Sequence, residues 1–125
     1  MLDDEEDVLH LLELVLSRRG FRVSVTADGR EALRLLRESR FAVALVDLLM
    51  PGMSGRQFLE QTGKLPPEQR PNVLIVSALR PEMVEKELGG LPYFALVSKP
   101  FELSQIHEPV VRAAEAWRTR GTRGA

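Results

Sequence analysis

Residues 42–55, AVALVDLLMPGMSG, decide how the chain reads. Residues 42–46 are an unbroken apolar run of strand-favouring character. The run ends on one carboxylate, Asp47, and passes at once into a loop carrying Pro51, Gly52 and Gly55. A continuous apolar run of this length, without alternation, marks a strand covered on both faces. An ionised carboxylate beside an apolar core is costly unless it is paired or bound to a cation. In an open parallel α/β sheet, ligands sit at the carboxyl ends of central strands, so Asp47 is placed to do chemistry. The plainer alternative is that Asp47 caps the helix that follows.

Working outward, residues 72–77, NVLIVS, form a second buried run, and residues 93–97 a shorter one. Residues 21–26, FRVSVT, alternate apolar and polar, as expected of a strand at a sheet edge with one wetter face. Between these runs the apolar spacing is helical: residues 8–19, closed by Gly20; residues 30–38, entered through Asp28 and Gly29; and residues 55–61. Pro81 opens a fourth helix that ends near Gly89 and Gly90, and residues 103–117 form an amphipathic last helix. The loop around Pro66, Pro67 and Pro71 is expected to hold no regular structure. Strands that alternate with helices call for a parallel sheet with helices on both faces.

A chain of 125 residues with no cysteine suits one domain with a real core and a reducing compartment. Its 44% apolar and 28% charged residues are ordinary for a globular protein. A net charge of -1 argues against direct nucleic-acid binding or membrane-surface binding. No apolar stretch has the length that spans a bilayer, so the expected location is cytoplasmic. The domain is read as residues 1–118, with a basic tail, 119–125, expected to be disordered.

Three strand ends finish in polar residues: Asp47, Ser77 and, two residues past Val97, Lys99. The intervals of 30 and 22 residues each allow one helical crossover, and parallel strands would bring all three to one edge. Taken singly, Ser77 is a turn residue, Lys99 a surface lysine before Pro100, and the acidic run at 3–7 a solvated helix start. Three such coincidences on one sheet edge strain that explanation. His10 and His107 have no partner pattern and are read as helix-surface residues, and Trp117 as helix packing.

Four motifs stand in order: DDE at 3–5, VDLLMPGMSG at 46–55, VSA at 76–78 and KPF at 99–101. Through them nearly the whole chain resembles the receiver domain of two-component response regulators. The resemblance implies a flavodoxin-like, doubly wound sheet and a phosphoryl group accepted on Asp47 from a sensor histidine kinase or phosphotransfer protein. It implies Mg²⁺ held directly by Asp4 and Asp47, through water by Asp3, and by the backbone carbonyl of Leu49. Lys99 would meet the phosphoryl oxygens as a point charge, the Ser77 hydroxyl would donate to one of them, and Pro100 would shape the turn. Crowded carboxylates resist ionisation, and a divalent cation reverses that balance. The protein would then be a switch rather than an enzyme, with no output domain of its own. It would bind a downstream partner through its last two helices and last strand, with homodimerisation left open.

The match departs from the family at several places. Only Met1 and Leu2 precede Asp3, so the first strand is truncated or missing. That strand belongs between the second and third, and its loss leaves a gap of about twice the ~4.8 Å strand spacing. A start site called too late, a rearranged four-stranded sheet, or an edge completed by another chain would each account for it, the first being preferred. Leu96 stands at the switch position where the family carries Tyr or Phe. Leu49 and Leu79 occupy the positions that flank the path of hydrolytic water, and neither can orient water, which predicts a long-lived acyl phosphate. The competing function is a phosphorylation-independent pseudo-receiver acting as an interaction module. A phosphohydrolase is disfavoured by Leu49 at the acid/base position, and a dinucleotide-binding enzyme by the lack of a Gly-rich phosphate loop.

Overall fold

A computed structural model of the chain describes residues 6–24, 26, 28–48, 53–98 and 103–123. Its elements in order are α1 (Glu6–Arg18), α2 (Gly29–Glu38), β1 (Val43–Asp47), α3 (Gly55–Thr62), β2 (Asn72–Ser77), α4 (Pro81–Leu88), β3 (Ala95–Ser98) and α5 (Leu103–Arg123). Among the described residues the strands form one parallel sheet in the order β1-β2-β3.

Strand periodicity divides the core into two layers, because successive side chains leave the sheet on opposite faces. On one face Val46, Val73 and Ile75 pack with Leu33 and Leu36 of α2, Phe58 and Leu59 of α3, and Val84 and Leu88 of α4. On the other, Leu45, Leu74, Val76 and Val97 pack with Leu12 and Leu16 of α1 and Ile106, Val110 and Ala113 of α5. The parallel sheet with helices on both faces expected from the alternation of elements, and the doubly wound, flavodoxin-like arrangement that the resemblance implies, are therefore the ones observed. Leu74, Ile75 and Val76 are fully buried, as the unbroken run of β2 requires of a central strand. Each such side chain contributes ~1.5–3 kcal/mol on leaving water.

The helix ends follow local chemistry. Asp28 caps α2 by accepting from the Arg30 amide at 2.9 Å. Ser54 and Gln57 form a reciprocal capping box on α3. Asp47 is thus not the cap of the following helix. At α4, Pro81 starts the helix and Gly89 ends it in the left-handed region at φ 60°. On α5, Asn72 Nδ2 donates to the Ala113 carbonyl at 2.8 Å and Trp117 Nε1 to the Arg70 carbonyl at 3.0 Å, which fastens the helix to the entry of β2.

Three expectations change. Residues 21–24 join no strand ladder, although their alternation survives in burial, with Phe21 and Val23 half-buried and Arg22 and Ser24 exposed. A cleft of about 530 Å³ separates them from β1, so among the described residues β1 does not pair with them, while Thr26, at the end of the expected strand, forms a β-bridge. Second, α5 runs to Arg123, past the boundary expected at residue 118. Thr119 Oγ1 donates to the Glu115 carbonyl at 3.0 Å within the helix. Third, the Pro-rich loop contains a 3₁₀ turn, Pro67–Gln69, which proline at a first helical position favours.

Candidate functional site

Asp47 closes β1 and Ser77 closes β2, and the pairing register fixes their relation. Asp47 stands opposite Val76, so Ser77 is one residue further along the neighbouring strand. Ser77 in turn stands opposite Ser98, the residue before Lys99 in sequence. The parallel sheet therefore brings Asp47, Ser77 and the end of β3 to one edge. Both Asp47 (5% exposed) and Ser77 (0%) are buried there.

The Ser77 hydroxyl oxygen accepts the Leu79 amide at 3.0 Å, which folds the turn after β2 back over the strand end and leaves the O–H proton to be donated elsewhere. After β1, the Gly55 amide donates to the Leu48 carbonyl at 3.2 Å and closes the loop that leaves Asp47. A Cβ on Gly55 would meet Leu48 Cδ2 at 2.7 Å, Leu48 Cα at 2.8 Å and the Asp47 carbonyl at 3.2 Å, so glycine is required by the close approach of backbone. Gly29 at the start of α2 is crowded in the same way by Met53, whose Cβ and Sδ a side chain there would meet at 2.9 Å. These two glycines pin the loop, and sequence reading had treated them only as turn residues.

Of the other residues singled out, Leu79 and Leu96 are half-buried against the α2, α3 and α4 layer. Leu96 is a packing residue of β3, and the nearby aromatic residue with a polar link is Tyr93, whose hydroxyl donates to the Glu85 carboxylate of α4. That hydrogen bond, with burial and the carboxylate charge, raises the Tyr93 pKa above its ordinary 10.0. Asp3, Asp4, Leu49, Lys99 and Pro100 lie outside the described residues. Within the described residues no three His, Cys, Asp or Glu side chains group closely enough to hold a metal ion. Nor is any described helix long and apolar enough to cross a membrane. Ser98, exposed opposite Ser77, was missed because its place depends on strand register rather than on its own sequence context.

A parallel sheet wound on both faces, with a buried carboxylate and a hydroxyl on adjacent strand ends, defines a protein of the flavodoxin-like fold. Residues 1–111 match the response regulator receiver domain, and the chain belongs to that family. It is 30% identical over 113 residues to sporulation initiation phosphotransferase F of Bacillus subtilis, covering 88% of this chain and 87% of that protein. It is 34% identical over 118 residues to response regulator GtcR of Aneurinibacillus migulanus, covering 90% of this chain and 47% of that protein. The chain spans about half the length of GtcR and of the transcriptional regulatory protein YkoG of Bacillus subtilis. Among solved structures, FixJ-N superposes with a TM-score of 0.79 at 29% identity, over 91% of this chain and 90% of that one. The receiver domain of sensor histidine kinase PA1611 from Pseudomonas aeruginosa PAO1 shares the fold at a TM-score of 0.82 and 19% identity, over 91% of this chain and 93% of that one. Receiver domains are signalling switches that work with histidine kinases or phosphotransfer proteins.

Proposed function

We propose that this receiver domain is a cytoplasmic phosphorylation switch whose acceptor is Asp47. The reading is carried by one observation: a buried carboxylate ends β1 while, one register step along the adjacent strand, a buried hydroxyl ends β2. A carboxylate oxygen of Asp47 attacks the phosphorus of a phosphohistidine on the kinase or phosphotransfer protein. The P–O bond forms as the P–N bond breaks, and the imidazole leaves with the electron pair. The Ser77 hydroxyl donates to a phosphoryl oxygen, and Lys99 offers its charge to another.

The donors assigned to a cation are Asp47, Asp4, the Leu49 carbonyl and, through water, Asp3. These are hard oxygens of the kind Mg²⁺ takes. When bound, Mg²⁺ would lower the cost of gathering negative charge at this edge. The PA1611 receiver structure is described with magnesium coordinated in its active-site cleft, which supports the same assignment here. Phosphorylation adds ~1.5–2 negative charges and biases two conformations of the domain. The downstream partner would bind across α4, β3 and α5.

The second reading, a pseudo-receiver, is favoured by Leu96, which lacks the aromatic ring that would report the state of Ser77. Incubation with acetyl phosphate and Mg²⁺ followed by intact-mass measurement separates the two. The wild-type chain should gain the mass of one phosphoryl group and Asp47→Asn none. A wild-type chain that stays unmodified under these conditions leaves the interaction module as the function.

A further inference from the structure

In a parallel sheet whose strands are joined by helices, each helix ends at the edge where the next strand begins. That amino edge lies opposite the one holding Asp47 and Ser77, and it is rich in arginine. Arg18 ends α1, Arg19 and Arg22 follow it, Arg37 stands in the last turn of α2, and Arg40 lies three residues before β1. All five are exposed. Gly20, Arg22, Ser39 and Arg40 border one opening, so the ends of α1 and α2 converge although the helices pack on opposite faces of the sheet. Arginines near a helix C-terminus suit its dipole, but Arg22 and Arg40 stand beyond the helices, where that field has fallen off. Of the carboxylates at this edge, Glu38 and Glu60 are paired with Arg34 and Arg56 of their own helices, and Glu85 accepts from Tyr93. Glu68 and Glu87 remain among the described residues. The acidic run at 3–7 joins the chain at the far end of α1, whose first residue, Glu6, is about 18 Å from Arg18 at 1.5 Å per residue. The net charge of -1 averages two unlike edges.

Aromatic rings stand at the same edge. Phe94, 42% exposed, precedes β3, and its amide donates to the Val73 carbonyl at the start of β2. Trp117 is half-buried, with its Nε1 bonded to the Arg70 carbonyl two residues before β2. The other large apolar residues exposed among the described ones, Leu11, Leu14 and Met83, lie in the middle of α1 and at the start of α4. The amino edge therefore lacks the apolar centre of a protein interface and instead combines guanidinium groups with one open ring. We propose that this edge binds single-stranded nucleic acid without base specificity. Phosphates would pair with Arg18, Arg19, Arg22, Arg37 and Arg40, and a base would stack on Phe94. The starts of β1 and β3 are two strand spacings apart, about 10 Å, which a few nucleotides cross.

The test uses the 125-residue chain and a fluorescein-labelled twenty-nucleotide oligothymidylate. Fluorescence anisotropy at ~0.05 M salt should show saturable binding, and the unlabelled oligonucleotide should quench Trp117, the chain's single tryptophan. The logarithm of the binding constant should fall against the logarithm of salt concentration with a slope of about -2 to -3.5, as for roughly three to five neutralised phosphates. An Arg22→Glu/Arg40→Glu variant, its fold checked by circular dichroism, should bind at least tenfold more weakly. The same charge change at the opposite edge, Arg30→Glu/Arg80→Glu, should leave the affinity within twofold. Phe94→Ala should weaken binding at least fivefold. No saturation, equal losses from the two charge reversals, or unchanged affinity in Phe94→Ala would overturn the proposal. So would a polyglutamate of equal charge that displaces the oligonucleotide equally well, a result that would assign the edge to an acidic polypeptide instead.

Discussion

Gly55 lies against Leu48 so closely that a Cβ on it would sit 2.8 Å from the Leu48 Cα, while its amide bonds the Leu48 carbonyl at 3.2 Å. The contact is backbone against backbone and immediately follows Asp47, so the strand end and the start of α3 must shift together if the glycine is lost. Gly55→Ala is expected to cost ~1–3 kcal/mol. The urea midpoint should fall with little change in slope, since the surface exposed on unfolding is nearly the same. Acetyl phosphate should modify the variant more slowly than wild type at matched folded fraction.

The Ser77 hydroxyl is used twice in this reading, as acceptor for the Leu79 amide at 3.0 Å and as donor to a phosphoryl oxygen. Ser77→Ala removes both and leaves a half-buried amide without its partner, a loss of ~1–3 kcal/mol in stability. The rate of Asp47 phosphorylation should drop by about tenfold, or ~1.4 kcal/mol in barrier, and Ser77→Thr should keep most of it. Denaturation and a phosphorylation time course on the same three proteins measure the two effects separately.

Leu79 is half-buried and apolar, and Leu49 has no group that could hold water. A slow loss of the phosphoryl group is expected from the wild-type chain. Introducing a polar group at either position, as in Leu79→Glu or Leu49→Asn, should speed hydrolysis, toward the ~10²-fold typical of positioned proton transfer. Decay followed by intact mass checks this, and equal rates in all three proteins would count against it.

Tyr93 is the chain's single tyrosine, so tyrosinate absorbance reports on it alone. The Glu85 hydrogen bond, burial and the Glu85 charge all favour its neutral form in the folded protein. Its folded pKa is therefore above the unfolded one, so its contribution to stability is complete below pH 10.0 and fades as pH rises through the folded value. Titration at the tyrosinate band should give a midpoint above 10.0 in wild type, shifted toward 10.0 in Glu85→Gln. Tyr93→Phe should remove this part of the alkaline loss of stability.

Much of the architecture was legible because side-chain burial follows local period. The unbroken NVLIVS run became β2 over Asn72–Ser77, and Asp28, Pro81 and Gly89 bound their helices as turn chemistry predicts. The Ser54 to Gln57 capping box was equally available in the sequence and passed unread. At the site, the residue types at the ends of β1 and β2 were readable, since a polar residue after an apolar run is a local signal. Their neighbour Ser98 was not, because it has no such signal and matters only through its place opposite Ser77.

By itself the sequence determined which side chains face inward, including the alternation of Phe21 and Val23 with Arg22 and Ser24, and the polar residues that end the strands. The tertiary structure alone decided that residues 21–24 have no ladder partner among the described residues, that Asp47 falls opposite Val76 beside Ser77, and that α5 extends to Arg123. The reason is one of range. Inward and outward orientation repeats with the chain's own geometry, every two residues in a strand or 3.6 in a helix. A ladder bond needs a second backbone about 4.8 Å away, supplied by a distant part of the polypeptide.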